Sequence, residues 1–107
     1  MPFFLVQGSY SSQATATMIK NPQDRAAAVR PVIERMGGKL HGLWLAFGEY
    51  DVVAITEVPD NVSAAALSMA IGASGSLSAY RSTPLLTTAE ATEAMKKAGG
   101  AGYQPPK

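Results

Sequence analysis

The sequence predicts an α+β domain with a four-stranded antiparallel sheet, built from two β-helix-β halves in succession. Three observations support this prediction: a strand-like segment followed by a helix with one apolar stripe, a central pair of strand-like segments joined by a tight turn, and a second helix followed by a last strand. The chain has 107 residues, which is enough for one hydrophobic core but not for two. We therefore expect a single domain.

The first half of the chain predicts one strand, a short helical turn and a long helix. The strand is Phe3–Tyr10, where aromatic and β-branched residues are frequent. Ser12 is suited to cap a helical turn that ends at Lys20, and Asn21-Pro22 supplies an N-cap and a first-turn proline for a helix that ends near Met36. The apolar stripe of this helix, on a 3.6-residue period, is Val29, Val32, Ile33 and Met36.

Proline and glycine residues limit this long helix. Gly37-Gly38 supplies its C-terminal stop. Pro31 lies inside it and would leave the carbonyl of Ala27 without its usual donor. We therefore expect a kink at this proline, or a break of the helix into two pieces.

The central hairpin is the strongest local signal in the chain. Lys39–Phe47 and Tyr50–Val58 read as strands, and Gly48-Glu49 between them fits a two-residue type II′ turn. Such a turn fixes the register. The predicted pairs are Phe47 with Tyr50, Leu45 with Val52, Leu43 with Ala54 and His41 with Thr56 on one face, and Ala46 with Asp51, Trp44 with Val53, Gly42 with Ile55 and Leu40 with Glu57 on the other. Neither face is polar enough to lie against water, so we expect both to be covered.

The second half adds a helix, a strand and a short capped helix. Asp60 is the predicted N-cap of the helix, and Leu67 and Ile71 are predicted to project away from its core stripe. Ser76–Leu86 is the predicted fourth strand, and Thr87–Glu90 fits a capping box that opens the last helix. The predicted core stripe is Val62, Ala66, Met69, Ala70 and Ala73.

The resulting order is that of a ferredoxin-like βαββαβ fold. Right-handed crossovers would bring the first and third strands to the centre and put the helices on one face. The other face would then be apolar and open, and a second copy of the chain packed against it would form a dimeric α+β barrel. We expect residues 1–98 to form this domain and residues 99–107, rich in Gly and Pro, to form a flexible tail.

Four residues at the hairpin, Gly48-Glu49-Tyr50-Asp51, resemble the Gly, Tyr, Asp signature of the GYD-domain family. The similarity extends over roughly residues 3 to 90. This resemblance implies the dimeric α+β barrel fold and no particular activity. The segments that carry it are Asp24-Arg25-Ala26-Ala27, Met36-Gly37-Gly38-Lys39-Leu40, Tyr50-Asp51-Val52-Val53-Ala54-Ile55 and Pro59-Asp60.

Composition excludes several functional classes. Nine Lys and Arg against eight Asp and Glu give a formal charge of +1, so no long-range field favours nucleic acid or membrane surfaces. The chain has no Cys and one His, and we therefore expect no metal site and no cofactor. The apolar N-terminal segment is short and lacks a basic leader, so a cytoplasmic location is expected.

Six side chains are candidates for ligand binding, and no catalytic residue is assigned. They are His41, Trp44, Tyr50, Asp51, Tyr10 and Arg81. An imidazole changes charge near neutral pH, so His41 can act as an acid, a base or a ligand, or can have a structural or surface role. Trp44 can line a cavity, or can be a core or interface residue.

The other four candidates also have alternative interpretations. Asp51 either accepts hydrogen bonds from backbone donors near the hairpin or, with Tyr50 beside it, anchors a pocket next to Trp44. The planar guanidinium of Arg81 suits a carboxylate or phosphate, although a salt bridge is the simpler interpretation. Tyr10, Tyr80 and Arg81 can close the cavity that Trp44 would line, from the first and last strands.

Three functions remain open at this point. The first is small-molecule binding, in a cleft between sheet and helices or within the dimer barrel. The second is a non-catalytic, oligomeric structural or regulatory module assembled through Leu67 and Ile71. The third, a cofactor-free oxygenase or isomerase-like enzyme, rests on fold analogy alone. RNA binding is disfavoured because Tyr50–Glu57 lacks the aromatic pattern that stacks on bases.

Overall fold

One antiparallel sheet forms the centre of the fold in this computed structural model, which describes all 107 residues. Its strands lie in the order β2-β3-β1-β4, so the first and third strands are central, as predicted. Every neighbouring pair is antiparallel, and the architecture is that of the ferredoxin-like α+β fold. The strands are β1 (Phe3–Tyr10), β2 (Lys39–Leu45), β3 (Val52–Glu57) and β4 (Leu77–Leu85).

Four helices accompany the sheet: α1 (Ser12–Lys20), α2 (Arg25–Arg35), α3 (Asn61–Ser74) and α4 (Thr88–Gly99). Two predicted N-caps are wrong. Ser11, and not Ser12, caps α1 by accepting a hydrogen bond from the Ala14 amide. Asp24, and not Asn21, caps α2, because its carboxylate accepts bonds from two amides of the first turn. Pro31 lies within α2 but does not break it into two helices.

The core lies between one face of the sheet and helices α2 and α3. Ile33 of α2 is fully buried, and its neighbours along the predicted stripe of α2 pack against the same core. Burial of these side chains supplies most of the free energy that holds the helices on the sheet. We call this side of the sheet the helix face. The buried core residues are Phe4, Val6, Ile33, Leu40, Ala54, Val58 and Leu67.

The predicted core stripe of α3 is wrong, because the helix packs through its other side. Leu67 is buried with 3% of its surface exposed, and Ile71 is half-buried against the same core. Val62 and Met69, which were expected inside, are 77% and 72% exposed. Leu67 and Ile71 are therefore not available to build larger assemblies. The predicted N-cap of α3 is confirmed, since the Asp60 carboxylate accepts from the Ser63 amide, and this bond lowers the pKa of Asp60.

The turn between β2 and β3 is also different from the prediction. Regular pairing stops at Leu45 and Val52, and six residues connect the strands instead of two. Gly48 does not have the positive φ that a type II′ turn requires at that position. The loop is instead anchored to β1, because the Asp51 amide donates to the Gly8 carbonyl at 2.8 Å.

The register of β2 against β3 follows the prediction at four positions and then shifts. Leu45, Trp44, Leu43 and Gly42 pair as expected. A β-bulge at His41 then interrupts the ladder, so the predicted pairs His41 with Thr56 and Leu40 with Glu57 are wrong. Leu40 pairs with Thr56 and lies buried on the helix face. The bulge turns the His41 side chain toward the opposite face, where it contacts Phe3 and Glu57.

Helix α4 stands apart from the core. Thr87 and Glu90 form the predicted capping box, and the hydrogen bond from the Thr87 amide lowers the pKa of Glu90. No residue of α4 is buried. The radius of gyration is 17.1 Å, whereas a compact chain of this length would have about 13 Å. None of the four helices has both the length and the hydrophobicity needed to span a lipid bilayer.

Candidate functional site

The sheet separates the six candidate residues into three groups. We call the side opposite the helices the open face; its side chains alternate with the buried ones along each strand. His41, Trp44 and Arg81 belong to the open face. Tyr10 lies at the end of β1 beside the helices, while Tyr50 and Asp51 lie in the β2–β3 loop. The six residues do not converge on one site, and their role in ligand binding stays a prediction.

His41 is engaged by two neighbours on the open face. Its Nε2 lies 2.8 Å from Oε1 of Glu57, and its ring is stacked on Phe3 with centroids 5.1 Å apart. Trp44 is 58% exposed, and its ring lies across Gly42, where a Cβ atom would meet it. These contacts describe an apolar surface with one polar pair, and they leave no enclosed space around His41.

Asp51 acts as a backbone anchor. Its Oδ2 accepts a hydrogen bond from the Tyr10 amide at 3.1 Å, which ties the loop to the end of β1. A second tie joins the Ser9 hydroxyl to the Glu49 carbonyl at 2.8 Å. This matches the structural interpretation of Asp51, that of a carboxylate satisfied by a backbone donor. Tyr50 is half-buried in the same loop.

Arg81 lies exposed on the edge strand β4, opposite Gln7 of β1. The ion pairs of the structure are His41 with Glu57 and Lys96 with Glu93, so Arg81 has no carboxylate partner. No three His, Cys, Asp or Glu side chains come together as metal ligands would. The open face therefore offers an apolar surface with one free guanidinium at its edge.

A largely apolar pocket lies on the helix face. A chamber of about 90 Å³ lies between the sheet and helices α2 and α3, and 11 of its 14 lining residues are hydrophobic. We call it the inner chamber. It is lined by Val6, Tyr10, Arg25, Val29, Ile33, Leu43, Val52, Ala54, Thr56, Leu67, Ile71, Ser76, Leu77 and Tyr80.

Tyr80, one of the residues that line the inner chamber, carries an unsatisfied polar group. Its hydroxyl oxygen is buried and has no hydrogen-bond partner in the protein. Burial raises the pKa of Tyr80 above its ordinary value of 10.0, so the hydroxyl keeps its proton at neutral pH and is a donor. A buried donor without a partner costs about 1–3 kcal/mol. This cost disappears when a molecule in the chamber accepts the bond.

A second, larger chamber adjoins the first at the surface. It has a volume of about 330 Å³ and shares Tyr10, Arg25 and Ser76 with the inner chamber. We call it the outer chamber. No Asp or Glu lines it, and most of its side chains can form hydrogen bonds. The remaining lining residues are Ser11, Gln13, Ala14, Thr17, Met18, Gln23, Ser74 and Gly75.

A family profile described as the GYD domain matches residues 4–95, which include every strand and most of the helical residues. The chain belongs to the GYD domain family. No curated protein and no solved structure matches it. The family match agrees with the resemblance that the Gly48–Asp51 signature indicated. In this GYD domain the signature has a structural task, since Asp51 joins the loop to β1.

The cavity predicted from the sequence does not coincide with the inner chamber. Tyr10, Tyr80 and Arg81 were expected to close a cavity beside Trp44; Tyr10 and Tyr80 line the inner chamber, whereas Trp44 and Arg81 lie on the open face. Arg25 was not recognised as a site residue, although it lines both chambers. The only sequence signal for it is its position at the first turn of α2, behind the capping Asp24. Nothing in the linear sequence indicates that this turn lies next to β4.

Proposed function

We propose that this GYD domain binds a small, largely apolar molecule in the inner chamber, and that the Tyr80 hydroxyl donates a hydrogen bond to it. The observation that carries the proposal is this buried hydroxyl without a partner, on a side chain that lines a largely apolar chamber. Buried polar groups in proteins are nearly always hydrogen-bonded, and functional sites are one place where an exception is found. Ligand sites also combine mostly apolar walls with few polar groups.

The size of the chamber limits the part of the ligand that it accepts. The inner chamber has about 90 Å³, whereas an engineered protein cavity that binds benzene has about 150 Å³. A short alkyl segment therefore fits the inner chamber better than an aromatic ring. The rest of the molecule would occupy the outer chamber, whose volume is close to the lower limit of about 300 Å³ for ligand pockets.

Binding can be tested with 1-hexanol as the probe, followed by chemical-shift changes in NMR spectra. We expect Tyr80→Phe to weaken the affinity for hexanol about 3- to 10-fold, since one neutral hydrogen bond is lost. The matched control is Tyr103→Phe, because Tyr103 is 76% exposed and lies outside both chambers. Unchanged affinity in Tyr80→Phe, or shifts confined to residues outside the chambers, would contradict the proposal.

The second part of the proposal concerns assembly: two copies of the chain pack through their open faces. The support is the apolar character of that face, where Phe3, Leu5, Val53 and Ile55 lie on the two central strands. A surface of this kind on a soluble domain marks an interaction site. A homodimer of this geometry would be the dimeric α+β barrel that the family resemblance implies.

Light scattering on the purified protein tests the dimer. We expect the wild type to have twice the chain mass of 11.2 kDa, and Ile55→Asp to have the chain mass. Ala28→Asp is the matched control, because Ala28 is exposed on α2 and we expect it to leave the dimer intact. A wild-type protein that stays at the chain mass at high concentration would refute this part and leave the ligand proposal standing.

A further inference from the structure

Resting on the ligand site proposed above, we infer that the ligand is an amphipathic monocarboxylate whose charged end faces Arg25. Arg25 is the only residue with a formal charge that lines either chamber, and it lines both. Arg25 therefore lies where the apolar space meets the polar space. A molecule with a short alkyl part and an anionic end matches this order of surfaces.

The guanidinium of Arg25 has N–H donors available for a carboxylate ligand. Its Nη1 donates to Oε1 of Gln23 at 2.6 Å, and it forms no ion pair. An arginine side chain has five N–H donors, so several remain for a carboxylate. The neighbouring Asp24 forms no ion pair with Arg25, and its Oδ1 accepts the amides of Ala26 and Ala27.

The other side chains of the outer chamber are consistent with a ligand that carries a single negative charge. Its other polar residues are neutral, being serines, Thr17, glutamines and Tyr10. One guanidinium balances a monoanion, whereas a dianionic phosphate would keep excess charge in a site that has no second cation. Hydroxyl and amide groups can hydrogen-bond the carboxylate oxygens that Arg25 does not reach.

Comparison of hexanoate with 1-hexanol tests the inference, because the two probes share an alkyl chain and differ in charge. In the wild type we expect hexanoate to bind at least about 10-fold tighter than hexanol, as a charge-assisted hydrogen bond allows. Arg25→Gln should remove this preference, because it weakens the affinity for hexanoate more than the affinity for hexanol. Arg35→Gln is the matched control; Arg35 lies exposed at the end of the same helix and lines neither chamber.

A charge reversal separates recognition from a structural role of Arg25. Arg25→Glu should bind hexylammonium better than hexanoate, and a carboxylate at the first turn of α2 is compatible with the helix dipole. Circular dichroism establishes that each variant is folded.

The two proposals fail in distinguishable ways. If hexanol binds in the inner chamber but hexanoate binds no better, or if Arg25→Gln keeps the preference, the inference about the carboxylate is overturned and the proposed function stands. If neither probe binds at millimolar concentration, the ligand site itself is refuted.

Discussion

The two faces of the sheet have similar sequences and different surroundings. On β1, Phe4 and Val6 point to the helix face and are 6% and 9% exposed, while Phe3 and Leu5 point to the open face and are half-buried. On β2, Trp44 of the open face is 58% exposed. Helices α2 and α3 account for the difference. Apolar residues on a strand therefore predict that a face needs a cover, but not which part of the molecule, or which molecule, supplies it.

The largest expected loss of stability comes from a substitution in the core that covers the helix face. Ile33→Ala should lower the free energy of unfolding by about 3–4 kcal/mol, because Ile33 is completely buried and its removal leaves a cavity. Urea unfolding measures this value. A loss below about 1 kcal/mol would mean that the helix face collapses around the gap and is less tightly packed than its burial indicates.

An isoleucine-to-alanine substitution on the open face allows a direct comparison of stability between the two faces. In dilute protein, Ile55→Ala should cost about 1 kcal/mol or less, because Ile55 is only half-buried within one chain. At concentrations where two copies associate, the cost should increase, since association stabilises the folded state by mass action. Unfolding at several protein concentrations measures both values. A cost equal to that of Ile33→Ala at high dilution would mean that the chain covers this face by itself.

Tyr80, on the helix face, makes the stability of the fold depend on pH. Because burial raises its pKa, the unfolded chain loses the phenol proton at a lower pH than the folded chain does. The stability that Tyr80 contributes is complete below the ordinary value of 10.0 and is lost as the pH rises through the raised pKa. Tyr80→Phe should therefore lose less stability than the wild type as the pH rises above about 10. Tyr103→Phe, at an exposed position, should follow the wild type.

Helix α4 provides the smallest effect on global stability. Thr87→Ala removes the N-cap and should destabilise α4 by about 1 kcal/mol, which lowers the helical signal in circular dichroism. The unfolding midpoint of the sheet should not change, because α4 contributes no buried residue. A lower midpoint would mean that α4 packs on the core of its own chain or of a second copy.

The element order could be predicted because its signals are local. Phe3–Tyr10 was predicted with its exact bounds, and Asp60 and the Thr87–Glu90 capping box act as expected. Each signal depends on residues within one turn or one strand. The Gly48-Glu49 turn failed for the opposite reason, since that loop is anchored by hydrogen bonds to β1, which is distant in sequence.

The orientation of α3 could not be predicted from periodicity. Apolar residues occur on every side of this helix, so the 3.6-residue pattern fits more than one stripe. The structure selects the side with the larger Leu67 and Ile71 and leaves a side of mostly alanines exposed. The same limit applies to the chambers, because Arg25 and Tyr80 belong to different halves of the chain and meet only through the sheet order.

The irregular edges of the sheet restrict how copies of this chain can associate. The bulge at His41 interrupts the hydrogen-bonding row of β2, and Pro84 lacks an amide hydrogen near the end of β4. Both features hinder continuous ladder pairing with a further strand. Edge-to-edge aggregation of copies is therefore disfavoured at both sides of the sheet.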